Sequence, residues 1–408
     1  MKGEKRMKEP EETKELFFTE KDLKERLREI KEKIWDDLDM ETQKALKKLL
    51  ESALEVEIQD LVGAERWKHY TNRKHYRNGK YKRKLLTTYG WINDLKIPRI
   101  REGGVEFKTI EKYKRRTKDV DAMVLEMYLN GVSTRKIKEV LHVLLGDANI
   151  SSSTVSEIAK QLDAQIAKYH NRPLKDDYCI IILDAVYVKA KDPLHSRNHC
   201  ILVAYGIKED GTREIIDFRF APKGESQAAW ESFIANLYYR GLEGKELKLV
   251  VMDGNKGAWN AIDLVWPNVK KQRCIAHKMR NVANYLPKSI SQQCLTEAKE
   301  IYKAESYGEA VYNFKTWASK WENIVPKAVR CIEKDLPYML TFYDFPKELW
   351  KKIRTTNIIE RVFREVRRRT RPISCFTNIK SVERIIYAIF SRQNNIWKSQ
   401  KLKITQKF

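Results

Sequence analysis

Long apolar runs are absent from this sequence, and so is the cysteine spacing of a disulfide framework. No run approaches the roughly 20 residues that a membrane-spanning helix needs. The charged opening, residues 1–6, lacks the apolar region of a secretory signal. Six cysteines are scattered along the chain: Cys179, Cys200, Cys274, Cys294, Cys331 and Cys375. This pattern is typical of a reduced environment, so we expect an intracellular protein.

Acidic residues are too few to balance the basic ones. The 408 residues include 80 lysines and arginines against 56 aspartates and glutamates, giving a formal net charge of +24. Such a balance favours association with a polyanion, although it does not indicate a fold. With 42% apolar residues and ten tryptophans the chain can form hydrophobic cores. Its length suits two or three domains.

The positive charge is concentrated in two segments. Residues 66–84 contain nine basic and no acidic residues, interleaved with one tryptophan and three tyrosines, and residues 351–408 contain 16 basic and 3 acidic residues. A charge run is commonly a solvated surface. Basic residues that alternate with aromatic ones also suit phosphate contacts and stacking on bases. We therefore predict that the first segment binds DNA, with Arg73, Lys74 and Arg77 among its contacts.

Residues 19–62 have helical periodicity. Within them Leu23, Leu27, Ile30 and Ile34 recur at spacings of four, three and four residues between charged neighbours. This stripe fits either a small helical domain or an arm that pairs two chains. The sequence does not separate these two interpretations, and we expect a homodimer.

Residues 83–110 change period and predict three short strands, at 84–89, 95–100 and 105–110. Two helices that resemble a helix-turn-helix follow, separated by Asn130-Gly131, with Ser133 as the cap of the second. Another helix is expected to start at residues 151–154, where Thr154 and Glu157 have the spacing of a capping box. Because helix pairs of this size are common without DNA, the pair alone does not establish a DNA-binding motif.

From about residue 178 the pattern predicts a mixed sheet. Strands are expected at residues 178–190, 199–206, 214–220, 247–253 and 269–273. Three consecutive strands with tight links, followed by strands that alternate with helices, indicate an α/β fold with helices on the faces of the sheet. This order is the one found in ribonuclease-H-like cores. Residues 278–350 then switch to helical periodicity, which predicts an all-helical insertion domain.

Two aspartates occupy costly positions in this sheet. Asp184 interrupts one apolar run, and Asp253 ends another. A carboxylate in a buried strand is unfavourable unless a cation compensates it, so the pair predicts a divalent-metal site. Glu360 is one candidate for a third ligand, at the start of a predicted helix with Thr356 or Asn357 as cap, although spacing alone does not select it. We expect Mg²⁺ or Mn²⁺, because Mg²⁺ prefers carboxylate, water and phosphate oxygens.

Several segments resemble the mutator-type insertion-sequence transposases of bacteria and archaea. They are residues 183–189, 253–257, 272–281 and 355–361, together with upstream motifs at residues 76–79, 98–99 and 131–135. The resemblance covers most of the chain from about residue 70 onward. It implies a DDE transposase with a ribonuclease-H-like core split by a helical insertion. It also places Asp184, Asp253 and Glu360 on the three catalytic, metal-binding positions, and it adds Arg135 to the predicted DNA contacts.

Cys274 and His277 match the Cys-x-x-His signature that follows the second aspartate in that family. A structural zinc ion needs four ligands, and the sequence shows no second pair of this kind nearby. We interpret the two residues as a packing or hydrogen-bonding motif near the active site, with zinc binding as the alternative.

The helix that begins near Glu360 carries a row of arginines. Arg361, Arg364 and Arg368 share one face of it. Next to a catalytic carboxylate they are predicted to bind the DNA backbone, and a solvated helix face is the alternative.

These predictions divide the chain into five regions: residues 1–65, helical and suited to dimerisation; 66–172, DNA-binding with short strands and helix-turn-helix-like helices; 173–277, the first part of the catalytic core; 278–350, the helical insertion; and 351–408, the last part of the core with basic helices.

We expect metal-dependent cleavage at terminal inverted repeats and attack of the freed 3′-hydroxyl on target DNA, in the cytoplasm and associated with the nucleoid. A nuclease that cuts without joining and a DNA-binding regulator with a lapsed core are the alternatives. The presence of all three carboxylates argues against the regulator.

Overall fold

The computed structural model describes residues 20–65, 67–68, 74–146, 150–192, 195–373, 376 and 378–404. The chain is a mixed α/β protein, as predicted, and divides into two compact units. One contains the described residues up to Met123 together with Lys138–Ile150. The other contains Val124–Ile137 and the described residues from Ser151 onward. The finer division into five regions stays a prediction.

The first unit is built on a long helix and a hairpin. Helix α1 (Glu20–Val62) precedes strands β1 (Arg77–Thr87) and β2 (Gly90–Ile100), which pair antiparallel. Apolar residues of the helix and the hairpin, together with Ile110 further along the chain, form one buried cluster. Its members are Leu54, Leu85, Ile92, Leu95, Ile97 and Ile110. The helix predicted over residues 19–62 is confirmed from Glu20 onward.

The third strand predicted in this region, at residues 105–110, is wrong, because the segment is irregular. Its backbone hydrogen bonds go to a side chain and not to a neighbouring strand. The Glu57 carboxylate accepts the N–H groups of Lys108 at 2.6 Å and Thr109 at 2.9 Å. Ile110 still enters the buried cluster, which explains the apolar pattern that suggested a strand.

Four helices come next: α2 (Lys118–Leu129), α3 (Thr134–Leu145), α4 (Ser152–Lys160) and α5 (Asp163–Asn171). The predicted break between the first two is confirmed, since Gly131 has a positive φ of 87°. The capping box predicted for Thr154 is wrong. Ser151 has an extended backbone and accepts the Thr154 N–H at 3.1 Å, which makes Ser151 the cap. Glu157 pairs with Lys160 instead, at 2.6 Å.

The second unit contains a five-stranded mixed sheet. Its strands are β3 (Tyr178–Asp192), β4 (His195–Lys208), β5 (Arg213–Ala221), β6 (Leu249–Met252) and β7 (Lys270–Arg273). The spatial order is β5-β4-β3-β6-β7, with β3, β4 and β5 antiparallel and with β6 and β7 parallel to β3. The mixed sheet predicted from the sequence is confirmed.

Helices cover both faces of this sheet. Helices α6 (Gln227–Tyr239) and α7 (Lys256–Val265) contribute to a buried cluster with Ile181, Leu183 and Met252. Helices α14 (Asn357–Thr370) and α15 (Ile379–Lys398) pack against β3. Alternation along the strands gives each face its own apolar set.

The chain between β7 and α14 is helical, as predicted for residues 278–350. It forms α8 (Ile275–Ala283), α9 (Lys288–Lys303), α10 (Tyr307–Trp321), α11 (Pro326–Glu333), α12 (Leu336–Leu340) and α13 (Lys347–Ile353). Phe314, Trp317 and Trp321 of α10 are buried. Across the described part of the chain, no helix is both long and apolar enough to cross a membrane.

Candidate active site

Two aspartates lie side by side in the central part of the sheet. Asp184 is within β3, and Asp253 directly follows β6. These strands run parallel with Ile182 opposite Val251, and Asp184 and Asp253, each two residues further along, interact electrostatically. Neighbouring strands are about 4.8 Å apart. Two carboxylates that are distant in sequence therefore occupy adjacent positions.

Asp184 is on the face of the sheet opposite to α6 and α7. Its neighbour Leu183 belongs to the apolar cluster beneath those helices, and successive side chains of a strand point to opposite faces. The face that carries Asp184 is the one on which α14 and α15 pack. Helix α14 bears Glu360 in its first turn, so two of the predicted catalytic residues lie on elements that are in contact.

The Asp184 carboxylate is buried and only partly satisfied. Asp184 is 9% exposed. Its Oδ1 accepts the Ala185 N–H at 2.8 Å. Oδ2 is buried without a hydrogen-bond partner among the described residues. Burial raises the pKa of Asp184 to about 6, and the negative charge of Asp253 acts in the same direction. The site therefore disfavours two adjacent negative charges unless a cation is present.

Asp253 is fixed by the start of the next helix. Its Oδ1 accepts the N–H of Asn255 at 2.9 Å. Asn255 in turn caps α7, because its side-chain oxygen accepts the Ala258 N–H at 3.1 Å. The position of Asp253 is thus coupled to a capped helix that packs on the sheet.

Cys274 lies where three segments meet. Its N–H donates to Met252 O at 2.7 Å, at the end of β6. Its Sγ accepts the N–H of Thr356 at 3.3 Å, at the start of α14. His277 Nδ1 lies 3.2 Å from the same sulfur. The Cys-x-x-His motif therefore connects the strand that precedes Asp253 with the helix that carries Glu360.

The thiol and imidazole change each other's ionisation. Burial acts to raise the pKa of Cys274, but the hydrogen bonds from His277 and from the Thr356 backbone outweigh it, and the pKa is lowered. The hydrogen bond to Cys274 raises the pKa of His277 to about 9, against the effect of burial. Asp184 contributes to the same rise. A positive charge on His277 is therefore favoured close to the aspartate pair.

Glu360 is held by arginines. Arg367 Nη2 lies 2.9 Å from Glu360 Oε2, and Arg280 Nη1 lies 3.9 Å from Oε1. Within the described residues, no group of three or more histidine, cysteine, aspartate or glutamate side chains is arranged to hold a metal ion. The convergence of Asp184, Asp253 and Glu360 on metal stays a prediction.

Glu225 is a residue near the site that sequence reasoning missed. Burial raises its pKa, and Asp253 adds to the rise. Tyr187 Oη donates to Glu225 Oε1 at 3.0 Å, and Asn255 Nδ2 donates to the Glu225 backbone oxygen at 3.3 Å. Glu225 precedes Ser226, the cap of α6.

The predicted DNA-binding arginines of α14 form one surface. Arg361, Arg364 and Arg368 are exposed, while Val362 and Val366 of the same helix are buried. The one ion pair described for this face is weak, since Arg368 lies 3.7 Å from Glu365 and both side chains are exposed. Their cationic groups are open to a polyanion.

The other predicted DNA contacts, three in the first basic segment and Arg135 downstream of it, are less uniform. Lys74 and Arg135 are exposed. Arg77 is half-buried and forms an ion pair with Glu55 of α1, which ties it to the first unit. Arg73 lies outside the described residues. DNA binding by these residues stays a prediction.

Comparison with known proteins identifies the family to which this chain belongs. Residues 18–400 match the sequence model described as Transposase, Mutator family. The match covers nearly the whole chain, so the chain belongs to the Mutator family of transposases. The family resemblance stated from the sequence motifs is confirmed, and transposition is the general function that membership supports.

Curated relatives extend over most of both chains. The chain is 34% identical over 352 residues to the transposase for insertion sequence element ISRM5 of Rhizobium meliloti (strain 1021), covering 86% of this chain and 87% of that protein. It is 31% identical over 359 residues to the IS905 transposase of Lactococcus lactis subsp. lactis (strain IL1403), covering 88% and 90%. It is 33% identical over 340 residues to the transposase for IS256 in transposon Tn4001 of Staphylococcus aureus, covering 83% and 86%.

Proposed function

We propose that this chain is the transposase of an insertion sequence element. In this proposal it cuts DNA at the terminal inverted repeats of the element and joins the freed 3′-hydroxyl to target DNA, in a reaction that needs Mg²⁺ or Mn²⁺. Membership of the Mutator family supports the general function. The observation that carries the chemistry is the pair of adjacent carboxylates, Asp184 and Asp253, on parallel neighbouring strands.

The sheet topology supports a ribonuclease-H-like core. Three antiparallel strands followed by two that run parallel to the first are the order expected for that fold. The helices between β7 and α14 then act as an insertion, and α14 returns the chain to the sheet. Under this reading, Glu360 enters the site from a segment that is remote in sequence.

The aspartate pair fits a divalent cation. Asp184 Oδ2 is buried and has no hydrogen-bond partner among the described residues, and the nearby Asp253 disfavours its ionisation. A cation would remove both penalties. Asp184 and Asp253 are the residues that would hold it. Bound divalent ions in such sites activate the attacking oxygen and stabilise the leaving oxygen of a phosphodiester.

We propose Glu360 as the third carboxylate. Glu360 is four residues after Thr356, so it lies on the same side of α14 about 6 Å further along the helix. The side chain of Thr356 is near enough to Asp184 to act on its carboxyl group and lower its pKa, without a hydrogen bond to Oδ2. This closeness of the start of α14 to Asp184 supports the proposal. The positive charges of Arg280 and Arg367 lie close to the Glu360 carboxylate and compensate its negative charge.

The other groups of the site bind and orient DNA in this proposal. Arg361, Arg364 and Arg368 face outward from the helix that carries Glu360, where they can contact phosphates. The positive charge favoured on His277 lies near Asp184 and acts to lower the pKa of that carboxylate, against the larger effect of burial.

A homodimer and a nucleoid location complete the proposal. Leu27, Ile30 and Ile34 are 63%, 53% and 58% exposed on α1, and exposed apolar side chains at this spacing suit helix pairing. The net charge of +24 suits association with DNA, which in a bacterial or archaeal cell means the nucleoid.

The proposal is tested with carboxylate variants. Asp184→Asn, Asp253→Asn and Glu360→Gln should each lower cleavage of end-containing DNA by at least about 10³-fold, or about 4 kcal/mol of transition-state stabilisation. DNA binding in a gel-shift assay should stay close to that of the wild type. The reason is that each change removes a charge that the reaction needs and leaves the fold and the basic surfaces intact.

Matched controls are available on the same elements. Asp263→Asn on α7 and Glu365→Gln on α14 change residues in ion pairs with Lys271 and Arg369, and both should cleave normally. A carboxylate variant that keeps full cleavage is not part of the site. Wild-type cleavage that persists in EDTA contradicts metal dependence. Cleavage without joining of end oligonucleotides favours the nuclease over the transposase.

A further inference from the structure

A large open cavity lies beside Asp253. Its volume is about 920 Å³, and Gly254, the residue after Asp253, forms part of its wall. The remaining wall comes from α7, α8, α11, α12 and the end of β7, with Trp259, Arg273, Lys278, Arg330, Lys334 and Tyr338 among its residues. A cavity of roughly 300–1,000 Å³ accommodates a small organic ligand, which corresponds in size to one or two nucleotides.

The cavity wall is strongly basic. Six lysines and arginines line it against a single acidic residue, Asp335. Asp335 is engaged with two of the six, at 2.9 Å from Arg273 and in contact with Lys278. No acidic partner is described for the other four, Lys256, Lys327, Arg330 and Lys334, and all are exposed. An excess of this size over one small surface is what a phosphate chain needs.

The guanidinium of Arg273 lies directly against the backbone of the residue after Asp253. A Cβ at Gly254 would overlap that group where it lies, so the glycine gives it room. The Nε of Arg273 is buried without a hydrogen-bond partner among the described residues. The basic wall thus begins directly next to the proposed catalytic carboxylate.

Aromatic rings complete the wall. Trp259 and Tyr338 form an edge-to-face pair with ring centroids 4.8 Å apart, and Tyr338 is 44% exposed. Lys271 Nζ lies 5.0 Å from the centre of the Trp259 ring. Rings placed among unpaired cations bind single-stranded nucleic acid by stacking on bases while the cations hold the phosphates. In a duplex the base faces are already stacked on one another, so this wall recognises an unpaired base.

We propose that this cavity, which we call the strand pocket, binds one or two unpaired nucleotides of the DNA strand that leaves the cleavage site. The inference rests on the proposed DNA-cutting function, because the link to the cut is that Gly254, the residue after Asp253, forms part of the pocket wall. In the pocket, Arg330 and Lys334 contact phosphates, and Tyr338 with Trp259 stacks on a base. Unpaired nucleotides arise where the duplex opens at the site of the cut.

The test measures binding by the full-length protein in EDTA, so that no cleavage occurs. The probes are an end-containing duplex with a two-nucleotide unpaired extension carrying 2-aminopurine and the same duplex with a blunt end. The wild type should bind the extended duplex more tightly and quench its fluorescence. Tyr338→Ala should lower affinity for the extended duplex by about 5- to 100-fold and abolish quenching, with blunt-duplex binding unchanged within about twofold.

A second variant tests the phosphates independently of the ring. Arg330→Ala/Lys334→Ala should reduce the salt slope for the extended duplex by about 1.4, since each phosphate contact on a single strand contributes about 0.7. Lys299→Ala/Lys315→Ala, which changes exposed lysines of α9 and α10 outside the pocket, should leave the slope unchanged. Circular dichroism of each variant confirms that it is folded.

Two outcomes overturn the inference. Equal loss for blunt and extended duplexes means that the pocket binds duplex DNA, and no change in either variant means that it binds no DNA.

Failure of the proposed DNA-cutting function would give a different result. If the wild type does not cut DNA but still binds the extension through Tyr338, only the cleavage proposal fails. If it cuts DNA with metal and Tyr338→Ala has no effect on binding, only the strand pocket fails.

Discussion

The Cys274 sulfur has two roles that a residue without a side-chain acceptor could not fill. It accepts the N–H of Thr356, which is itself fully buried, and it lies 3.2 Å from His277 Nδ1. A buried N–H without an acceptor costs about 1–3 kcal/mol. The residue therefore contributes to stability through a hydrogen bond and to the site through the position of α14.

The residue-scale prediction concerns this hydrogen bond. Cys274→Ala should lower the free energy of unfolding by about 1–3 kcal/mol and lower cleavage by about 10- to 100-fold, because α14 loses its attachment beside the aspartates. Cys274→Ser keeps an acceptor and should recover a large part of the activity. Denaturant unfolding and end cleavage measure the two effects.

Cys179→Ala provides the matched control, since Cys179 is another buried cysteine, on β3. It should lose stability with little change in cleavage. If Cys274→Ala cleaves and unfolds like the wild type, the connection between Met252, Cys274 and Thr356 has no functional role.

At the same scale, some site residues could be predicted and others could not. Asp184 and Asp253 were visible because a charged residue inside or at the end of an apolar run stands out in the sequence. Glu225 carried no such signal. Its closeness to Asp253 depends on the contact between α6 and α7, where Gly257 lets the helix approach the backbone of Gln227. A contact of this kind between two helices cannot be read from the hydrophobic periodicity of the sequence.

Helix α14 is divided sharply into a buried and a basic face. Val362 and Val366 face the interior, while Arg361, Arg364 and Arg368 face outward. This amphipathic helix therefore presents three exposed cations at the surface, on the element that carries Glu360. Phosphate contacts of this kind add affinity without base specificity.

The prediction at the scale of this helix is a change in salt dependence. Replacing the three arginines together with alanine should flatten the slope of log affinity against log salt by about 2 to 3, at roughly 0.9 per phosphate contact on a duplex. Affinity should fall similarly for end-containing and random DNA. Fluorescence anisotropy across a salt series measures both quantities.

Three lysines of α9 and α10 serve as the control: Lys288, Lys299 and Lys315, all exposed. Their replacement with alanine should leave the slope unchanged. An unchanged slope for the arginine variant would mean that this face is only solvated. A loss confined to end-containing DNA would mean that the arginines read bases.

Element types were predicted more reliably than element details. All five strands of the central sheet and the helices after it were predicted, most of them because short apolar runs and helical periodicity are strong signals. The errors came from side chains that replace backbone partners. Glu57 satisfies the N–H groups that a strand at residues 105–110 would have used, and Ser151 takes the capping role assigned to Thr154.

For the molecule as a whole, the sequence does not show how the chain is partitioned. Residues 124–137 belong to the second unit although residues on both sides of them belong to the first. Such an arrangement depends on contacts between segments that are far apart in sequence. Local composition and periodicity, which gave the five predicted regions, do not contain this information.

Helix α1 changes character along its 43 residues. In its C-terminal part, Leu54, Ile58 and Val62 are fully buried. In its N-terminal part, Leu27 and Ile34 are more than half exposed. Ordinary surfaces rarely keep a row of exposed apolar side chains at helical spacing. A second copy of the same helix covers such a row most simply, because the stripe is complementary to itself.

The whole-molecule prediction is therefore that the chain is a dimer through this stripe. Light scattering after size-exclusion chromatography should give twice the mass of the chain for the wild type. Leu27→Glu/Ile34→Glu should give the mass of one chain, because four like charges would be placed in the pairing surface. Since both side chains are exposed, far-UV circular dichroism should stay nearly unchanged. Leu264→Glu/Ile324→Glu alters residues that are 69% and 58% exposed elsewhere and should remain dimeric. A wild type that is monomeric at micromolar concentration, or a stripe variant that stays dimeric, would show that α1 pairs with something other than its own copy.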